Sequence, residues 1–392
     1  MDFIPYGRQQ IDEEDIAAVT RVLRSDYLTS GPEIELFEHE FAEFVGAKHA
    51  VAVCNATAAL HLAMLVGNIG PGDRVLTSPN SFVASANAAV YVGATPDFAD
   101  IDSSTYNLTP ETIKAVWKPD VRAIVTVAYA GQSPDMPGIS KLAHQNNTII
   151  IEDVCHGTGG GFIYDGKFHK LGGHPYADMS IFSFHPVKTM TTGEGGMLTT
   201  DNDTFAHDAR VLRNQGLTRD CNAFTGQLPS YGPWSYEMQN LGFNYRMTDI
   251  QAALGRSQLR KLPSIIQHRQ DIVGFYNNKF KDIEFLATPG LRNPEDSQYI
   301  SWHLYSPRFN FEGIGVPRKE FMQLLANASV GSQVLYIPIY LQPFYQSKYN
   351  YMLGKCPIAE ECYNEMLSLP LFYDMNKKQV DYIINNVIKI IT

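Results

Sequence analysis

Met179-Ser180-Ile181-Phe182-Ser183-Phe184-His185-Pro186-Val187-Lys188-Thr189-Met190-Thr191-Thr192-Gly193-Glu194-Gly195-Gly196 runs an apolar segment into a turn and sets one lysine at the join. Ile181 to Phe184 has the composition of a buried strand, and Pro186 ends regular pairing. The threonines and glycines that follow make a turn before Met197 and Leu198 open a second apolar run. Lys188 is therefore expected between two buried strands. Desolvation there disfavours the ammonium form and leaves a nucleophilic amine at ordinary pH. A lone loop lysine usually keeps its head in water, so the reading depends on what else the chain brings to it.

Upstream, Thr148-Ile149-Ile150-Ile151 leads into Glu152-Asp153-Val154-Cys155-His156-Gly157, a fully buried strand that ends in carboxylates and an imidazole. Ligand groups gather at the carboxyl ends of strands in an open α/β sheet, which places Asp153 against a ligand. A carboxylate in that position can keep a pyridinium nitrogen protonated. With a Schiff-base lysine, it is what pyridoxal phosphate needs to act as an electron sink. His49 to Val53 reads as a strand, and Asn55-Ala56-Thr57-Ala58-Ala59-Leu60 as the start of a helix capped by Asn55. The free N–H groups at such a helix start suit a phosphate. Phe82 follows the strand Arg74 to Thr77 and can stack on a flat ring. Each residue also has an ordinary reading, Asp153 as a turn cap, Asn55 as a cap of any helix, Phe82 as core. Their order and spacing favour the joint one.

The chain has 392 residues, 44% hydrophobic and 18% charged, enough for two cores. Lys plus Arg is 31 against 41 Asp plus Glu, and the net charge of −10 argues against general nucleic-acid binding. The five cysteines at 54, 155, 221, 356 and 362 show no C-x-x-C or other metal spacing, which reads as reduced thiols in a cytoplasmic protein. The N-terminal residues do not look like a signal peptide, and no apolar stretch reaches membrane-span length.

In chain order, Asp12 to about Ser25 predicts a helix with Ile16, Val19, Val22 and Leu23 as its apolar stripe. A second helix carries Ile34, Phe37, Phe41 and Phe44, read as packing. Strands near 74–77, 122–128 and 148–153 alternate with helices near 81–92 and 137–145, which predicts a largely parallel sheet covered on both faces. Gly157-Thr158-Gly159-Gly160-Gly161 follows a strand, but the third glycine of a dinucleotide fingerprint would fall on Phe162, and no helical stripe follows. Asn214 to Tyr236 is a long Gly-, Pro-, Ser- and Asn-rich loop of the kind that is functional or mobile. From Asp249 to about Lys279 the pattern is helical, and Pro263 should kink or break it. Strands at 302–308 and 333–336 and helices near 317–326, 358–366 and 376–391 predict a small α+β domain at the C-terminus. The division falls at 1–259 and 260–392.

The whole resembles the sugar aminotransferases of the StrS/DegT type, pyridoxal-phosphate enzymes of fold type I. Their Ser-Gly-Thr-Ala-Ala-Leu-His-Leu is matched imperfectly by Cys54 to Leu62. Their Glu-Asp-x-x-Gln/His-x-x-Gly is matched by Glu152 to Gly159, and their Ser-Phe-x-x-x-Lys-x-x-x-x-Gly-Glu-Gly-Gly by Ser183 to Gly196. The resemblance implies an α/β fold with a large, mostly parallel sheet domain and a smaller C-terminal α+β domain. It implies that Lys188 carries the cofactor and moves the proton. Asp153 would hold the pyridinium and His156 would lie beside the cofactor's phenolic oxygen. Phe82 would stack on the ring, and Thr57, Ala58 and Ser183 would bind the phosphate. Asn244 and Arg246 match residues that reach a neighbouring subunit's cofactor, which implies a homodimer with shared sites. Tyr6, Thr29, His185, Arg219 and Tyr336 fall on the substrate side.

Within the family the resemblance is to the C4 aminotransferases of pseudaminic acid synthesis. These transfer an amino group from glutamate to a UDP-linked 4-keto-6-deoxy-N-acetylhexosamine. Asn55-Ala56-Thr57, Tyr129-Ala130-Gly131, His303-Leu304-Tyr305 and Tyr336-Ile337-Pro338-Ile339-Tyr340 carry that likeness. Asn214 stands where the family usually has a histidine before the glycine. Other keto-sugars, a sugar dehydratase and a non-catalytic cofactor-binding regulator are the competing readings. Dehydratases of the family have histidine at the position of Lys188, and regulators usually carry a DNA-binding module for which this chain has no spare segment.

Overall fold

The computed structural model describes residues 2–227 and 232–392, so part of the 214–236 loop lies outside the described residues. Short β-branched and apolar runs form β1 His49–Val53, β2 Arg74–Thr77, β3 Thr95–Phe98, β4 Val121–Val127 and β5 Ile149–Asp153. A hairpin of β6 Gly161–Tyr164 and β7 Lys167–Lys170 follows, then β8 Met179–Ser183 and β9 Gly196–Thr200. Seven of these make one sheet in the order β1-β9-β8-β5-β4-β2-β3. All neighbours are parallel except at β9, which runs antiparallel to both β1 and β8.

The sheet is buried on both faces, and β1 shows how. Val51 and Val53 enter one apolar cluster and Ala50 and Ala52 the other, as the period of two requires. The helices before the C-terminal region are α1 Glu13–Leu23, α2 Pro32–Val45, α3 Ala56–Val66, α4 Ala84–Tyr91, α5 Pro110–Ala115, α6 Met136–His144, α7 Asp203–Arg213 and α8 Asp249–Phe280. Beyond residue 280 come the helices α9 Phe311–Ile314, α10 Arg318–Asn327, α11 Pro343–Tyr349, α12 Pro357–Glu365 and α13 Lys377–Ile391. Two-residue strands pair as β10 Leu217–Thr218 with β11 Glu237–Met238, and as β12 Leu286–Ala287 with β13 Arg308–Phe309. The architecture is α/β with a smaller C-terminal α+β part.

Several expectations change. Helix α8 runs unbroken through Pro263, so position 260 lies inside a helix. Leu259, Leu262 and Ile265 are buried on either side of the proline, and this packing outweighs the lost hydrogen bond. In α1 the buried positions are Asp15 and Val22, whereas Ile16 and Leu23 face solvent in the single chain. Asp15 turns inward because Gln258 Nε2 donates to its carboxylate at 2.7 Å.

Residues 302–307 form no strand. The N–H of His303 goes to the Ala130 carbonyl at 2.8 Å, and the buried Arg269 takes the carbonyls of Trp302 and His303 at 2.7 and 3.0 Å. At 333–336 only Gln333 bridges, to Ser368, and the Leu335 carbonyl is taken by the Tyr129 hydroxyl at 2.5 Å. After the glycine run at 157–161 comes a strand rather than a helix, as the failed fingerprint requires.

Candidate active site

Three strands end at one place. Asp153 closes β5, Ser183 closes β8 alongside it, and α3 starts just beyond β1. The antiparallel step between β8 and β9 forces the chain from 184 to 195 to turn back at this edge. The Phe184 carbonyl accepts from the Thr191 hydroxyl at 2.9 Å and from the Thr192 N–H at 3.0 Å, and Phe184 itself packs against Phe37 and Phe41 with ring centroids 5.5 Å apart. The turn is thereby closed on its own bonds, leaving His185 to Lys188 on the rim of a cavity of about 510 Å³.

The cavity is lined by Tyr6, Asn55, Thr57, Ser81, Phe82, Ser85, Asp153, Cys155, His156, Ser183, His185, Lys188, Glu194, Leu335 and Tyr336, among others. Its volume suits a small organic ligand. Nine of the expected residues meet here: Tyr6, Thr57, Phe82, Asp153, His156, Ser183, His185, Lys188 and Tyr336. Lys188 is half-buried, and desolvation lowers its pKa, partly offset by Cys155 and the Asp153 carboxylate. The same surroundings push the Cys155 thiol well up, burial first and then the Asp153 charge. Lowering the pKa enlarges the neutral fraction of the amine, the form that can add to an aldehyde.

Asp153 is held at both oxygens. Ser85 donates to Oδ2 at 2.9 Å and the Cys155 N–H donates to Oδ1 at 3.1 Å, while Ser81 and Ser85 share a 2.8 Å bond behind it. At the start of α3, Asn55 Oδ1 accepts from the Ala58 N–H at 2.9 Å, so the amide expected to meet a phosphate also makes the helix cap. Strand β9 passes directly beneath. A Cβ on Gly196 would stand 2.5 Å from the Asn55 carbonyl carbon, so only glycine fits. Phe82 is 59% exposed, and its ring is 6.3 Å from that of Tyr336, which leaves a face open to the cavity.

His156 is held from two sides. The Ala130 N–H donates to its Nδ1 at 3.3 Å and its Nε2 lies 3.2 Å from the Tyr336 hydroxyl, so both ring nitrogens are engaged by the protein. Burial and the Lys188 charge lower its pKa well below the ordinary range, keeping the ring neutral.

The other expected residues lie outside this chain's cavity. Thr29 bridges Thr248, and Arg219 stands over the Tyr236 ring at 5.8 Å. Asn244 bridges Asn214, whose Oδ1 accepts from Arg246 Nη1 at 2.7 Å beside a smaller cleft with Ser30, Arg210 and Arg213. Sequence reasoning missed Ser85 as the partner of Asp153, Tyr129 as the clamp on Leu335, and Glu194 in the lining. The spacing of Ser81 and Ser85, four apart on the way into α4, was the available signal.

The donor set fits pyridoxal phosphate. It offers a half-buried amine of lowered pKa, a buried carboxylate, a helix start with Thr57 and Ser183 beside it, and an open aromatic face. Among the described residues no cluster of His, Cys, Asp or Glu is arranged to hold a metal, and no helix is long and apolar enough to cross a membrane.

Comparison with known proteins agrees with this geometry. The pattern of the DegT/DnrJ/EryC1/StrS aminotransferase family matches residues 9–388. The spore coat polysaccharide biosynthesis protein SpsC of Bacillus subtilis is 39% identical over 386 residues, which cover 98% of this chain and 96% of that protein. Among solved structures, PseC of Helicobacter pylori, an aminotransferase of pseudaminic acid biosynthesis, superposes with a TM-score of 0.88 at 31% identity, covering 99% of each chain. Spr1654 of Streptococcus pneumoniae in its PLP form gives a TM-score of 0.88 at 28% identity, covering 99% of this chain and 98% of that one. The chain thus belongs to the DegT/DnrJ/EryC1/StrS aminotransferase family and is a pyridoxal-phosphate-dependent sugar aminotransferase.

Proposed function

We propose that the enzyme transfers the amino group of glutamate to C4 of a UDP-linked 4-keto-6-deoxy-N-acetylhexosamine, in the synthesis of a pseudaminic-acid-like surface sugar. The observation that carries amino transfer is Lys188, a desolvated amine on the rim of the cavity that also holds Asp153. The sugar assignment is supported by the 31% identity to PseC over 99% of both chains. SpsC, at 39% identity, places a second relative in polysaccharide biosynthesis.

Bound in this cavity, pyridoxal phosphate supplies the electron sink that lets a C–H bond next to nitrogen be broken. The chain's residues do the rest. Lys188 Nζ would hold the cofactor and, when free, would carry the proton to and from the substrate carbon. Asp153, oriented by Ser85 and the Cys155 N–H, holds the ring nitrogen protonated. Phe82 covers the ring, and Thr57, Ala58 and Ser183 take the phosphate at the start of α3. Tyr6, His185 and Tyr336 face substrate from this chain. Thr29, Arg219, Asn244 and Arg246 serve the partner's site in a homodimer.

The test is an assay of the purified protein with glutamate and a panel of nucleotide-linked 4-keto and 3-keto sugars. Glutamate should bleach the cofactor's Schiff-base band, and the 4-keto-6-deoxy-N-acetylhexosamine should restore it. Turnover only with a 3-keto sugar would move the acceptor carbon, and release of water without amino transfer would make the enzyme a dehydratase.

A further inference from the structure

The peptide N–H of Ala130 can only donate, so His156 Nδ1, 3.3 Å from it, carries no proton. A neutral imidazole must then keep its proton on Nε2. Nε2 lies 3.2 Å from the Tyr336 oxygen, so the ring donates and the phenol oxygen accepts. The proton of the phenol itself is left over, on a side chain that lines the cavity. Burial raises the Tyr336 pKa well above its ordinary value, so the phenol keeps that proton.

The surroundings hold this order in place. Turning the His156 ring over would set a carbon against the Ala130 N–H. On the far side, the His303 ring stands 4.5 Å from it, fixed by the bonds from Arg269 to the carbonyls of Trp302 and His303. Ala130 sits at φ 56° and Gly131 at φ 109°, where a Cβ would meet the Ser301 carbonyl oxygen at 2.0 Å, so the turn that aims the N–H has little freedom. The segment bearing Tyr336 is tied down by the bond from the Tyr129 hydroxyl to the Leu335 carbonyl at 2.5 Å and by that from the Ile339 N–H to the Pro79 carbonyl at 3.0 Å.

We propose that Tyr336 serves the site as a hydrogen-bond donor of fixed direction toward an unprotonated ligand oxygen, and that His156 is the positioning residue that fixes the direction. The ligand oxygen is a carboxylate of the amino donor or a keto-sugar oxygen. The inference rests on reading this cavity as the amino-transfer site, and it gives the phenol, not the imidazole, the task of meeting that oxygen.

The test uses the cofactor-loaded enzyme with 15N-labelled histidine, the His156 signals being assigned by their loss in His156→Gln. His156 should show the Nε2–H tautomer, and Tyr336→Phe should shift its Nε2 resonance. The two half-reactions are then followed separately at the cofactor's absorption band, one with glutamate and one with the UDP-linked 4-keto-6-deoxy-N-acetylhexosamine. Tyr336→Phe should slow at least one of them about tenfold or more, as loss of a hydrogen bond to a charged or polarised oxygen does. Slowing confined to glutamate assigns the carboxylate, and slowing confined to the sugar assigns its oxygen. Slowing of both gives the phenol a part in each half. An Nδ1–H tautomer, a protonated ring, or half-reactions within about twofold of the parent would overturn the inference. Should the parent react with no keto-sugar, the proposed substrate falls, and the tautomer and the glutamate half-reaction still decide the role of Tyr336.

Discussion

Lys188 is useful because it is hard to charge. Burial lowers its pKa, so between its folded value and the ordinary lysine value the unfolded chain binds a proton that the folded chain does not. Stability then rises with pH across that window. In the cofactor-free protein, Lys188→Met should be more stable than the parent near neutrality, and the gain should shrink as pH approaches the ordinary lysine range, as read by urea unfolding at several pH values. In the loaded enzyme Lys188→Ala should retain some cofactor through the phosphate end of the site and lose transfer by on the order of 10³-fold or more, the loss expected for a nucleophile that is also the proton carrier. Asp153→Ala should lose cofactor affinity and rate together. Ser85→Ala leaves the carboxylate with one partner fewer and should weaken cofactor binding by roughly tenfold, measured by titration. That Lys188, Asp153 and Ser183 meet at one cavity was legible because motif spacing along the chain links them. Ser85 lies 68 residues from Asp153 and Tyr336 lies 180 residues from His156, pairings made only by the fold, with no periodicity to announce them.

Elements that alternate strand with helix were read closely from sequence, because a sheet buried on both faces writes its strands as short apolar runs. The strand expected at 122–128 is Val121–Val127 and the helix expected at 376–391 is Lys377–Ile391. Segments whose backbone is satisfied by distant side chains were misread, as at 302–307, where Arg269 and Ala130 take the groups that a ladder would have used. At Pro263 the helix is unbroken for a different reason, its packing against neighbouring helices. A proline in a helix interior costs up to about 3 kcal/mol, yet α8 packs along α1 and α2 on one side of it and α13 farther on, and the helix persists. Pro263 is exposed. Pro263→Ala should therefore restore a helical hydrogen bond without disturbing the core and stabilise the protein by about 1–3 kcal/mol, seen as a higher urea midpoint at unchanged slope. A destabilised variant would mean that the proline bends α8 into a shape its neighbours require.

At the scale of the molecule, one chain gathers Lys188, Asp153 and Ser183 around the cavity at the strand ends but leaves Arg246 outside it, fixed to Asn214 beside a separate cleft. Exposed apolar side chains, Ile16, Leu23, Tyr27 and Leu28 near the N-terminus and Trp234, Met238 and Leu241 in and just after the long loop, are more than a solvated surface needs. These features support the proposed homodimer in which Arg246 serves the neighbour's site. Take Lys188→Ala and Arg246→Ala, each inactive as a pure dimer, and let the two exchange subunits. In a hybrid, one site combines both lesions. The other draws Lys188 from the second chain and Arg246 from the first, and is whole. Equal amounts exchanging at random make about half the dimers hybrids, so about a quarter of all sites should work under two-fold symmetry. If Arg246 served its own chain, every site in the mixture would carry one lesion and no activity would return. Hybrids shown to form, by mass or by tag, without recovery of transfer would remove the shared site and leave Arg246 a role within its own subunit.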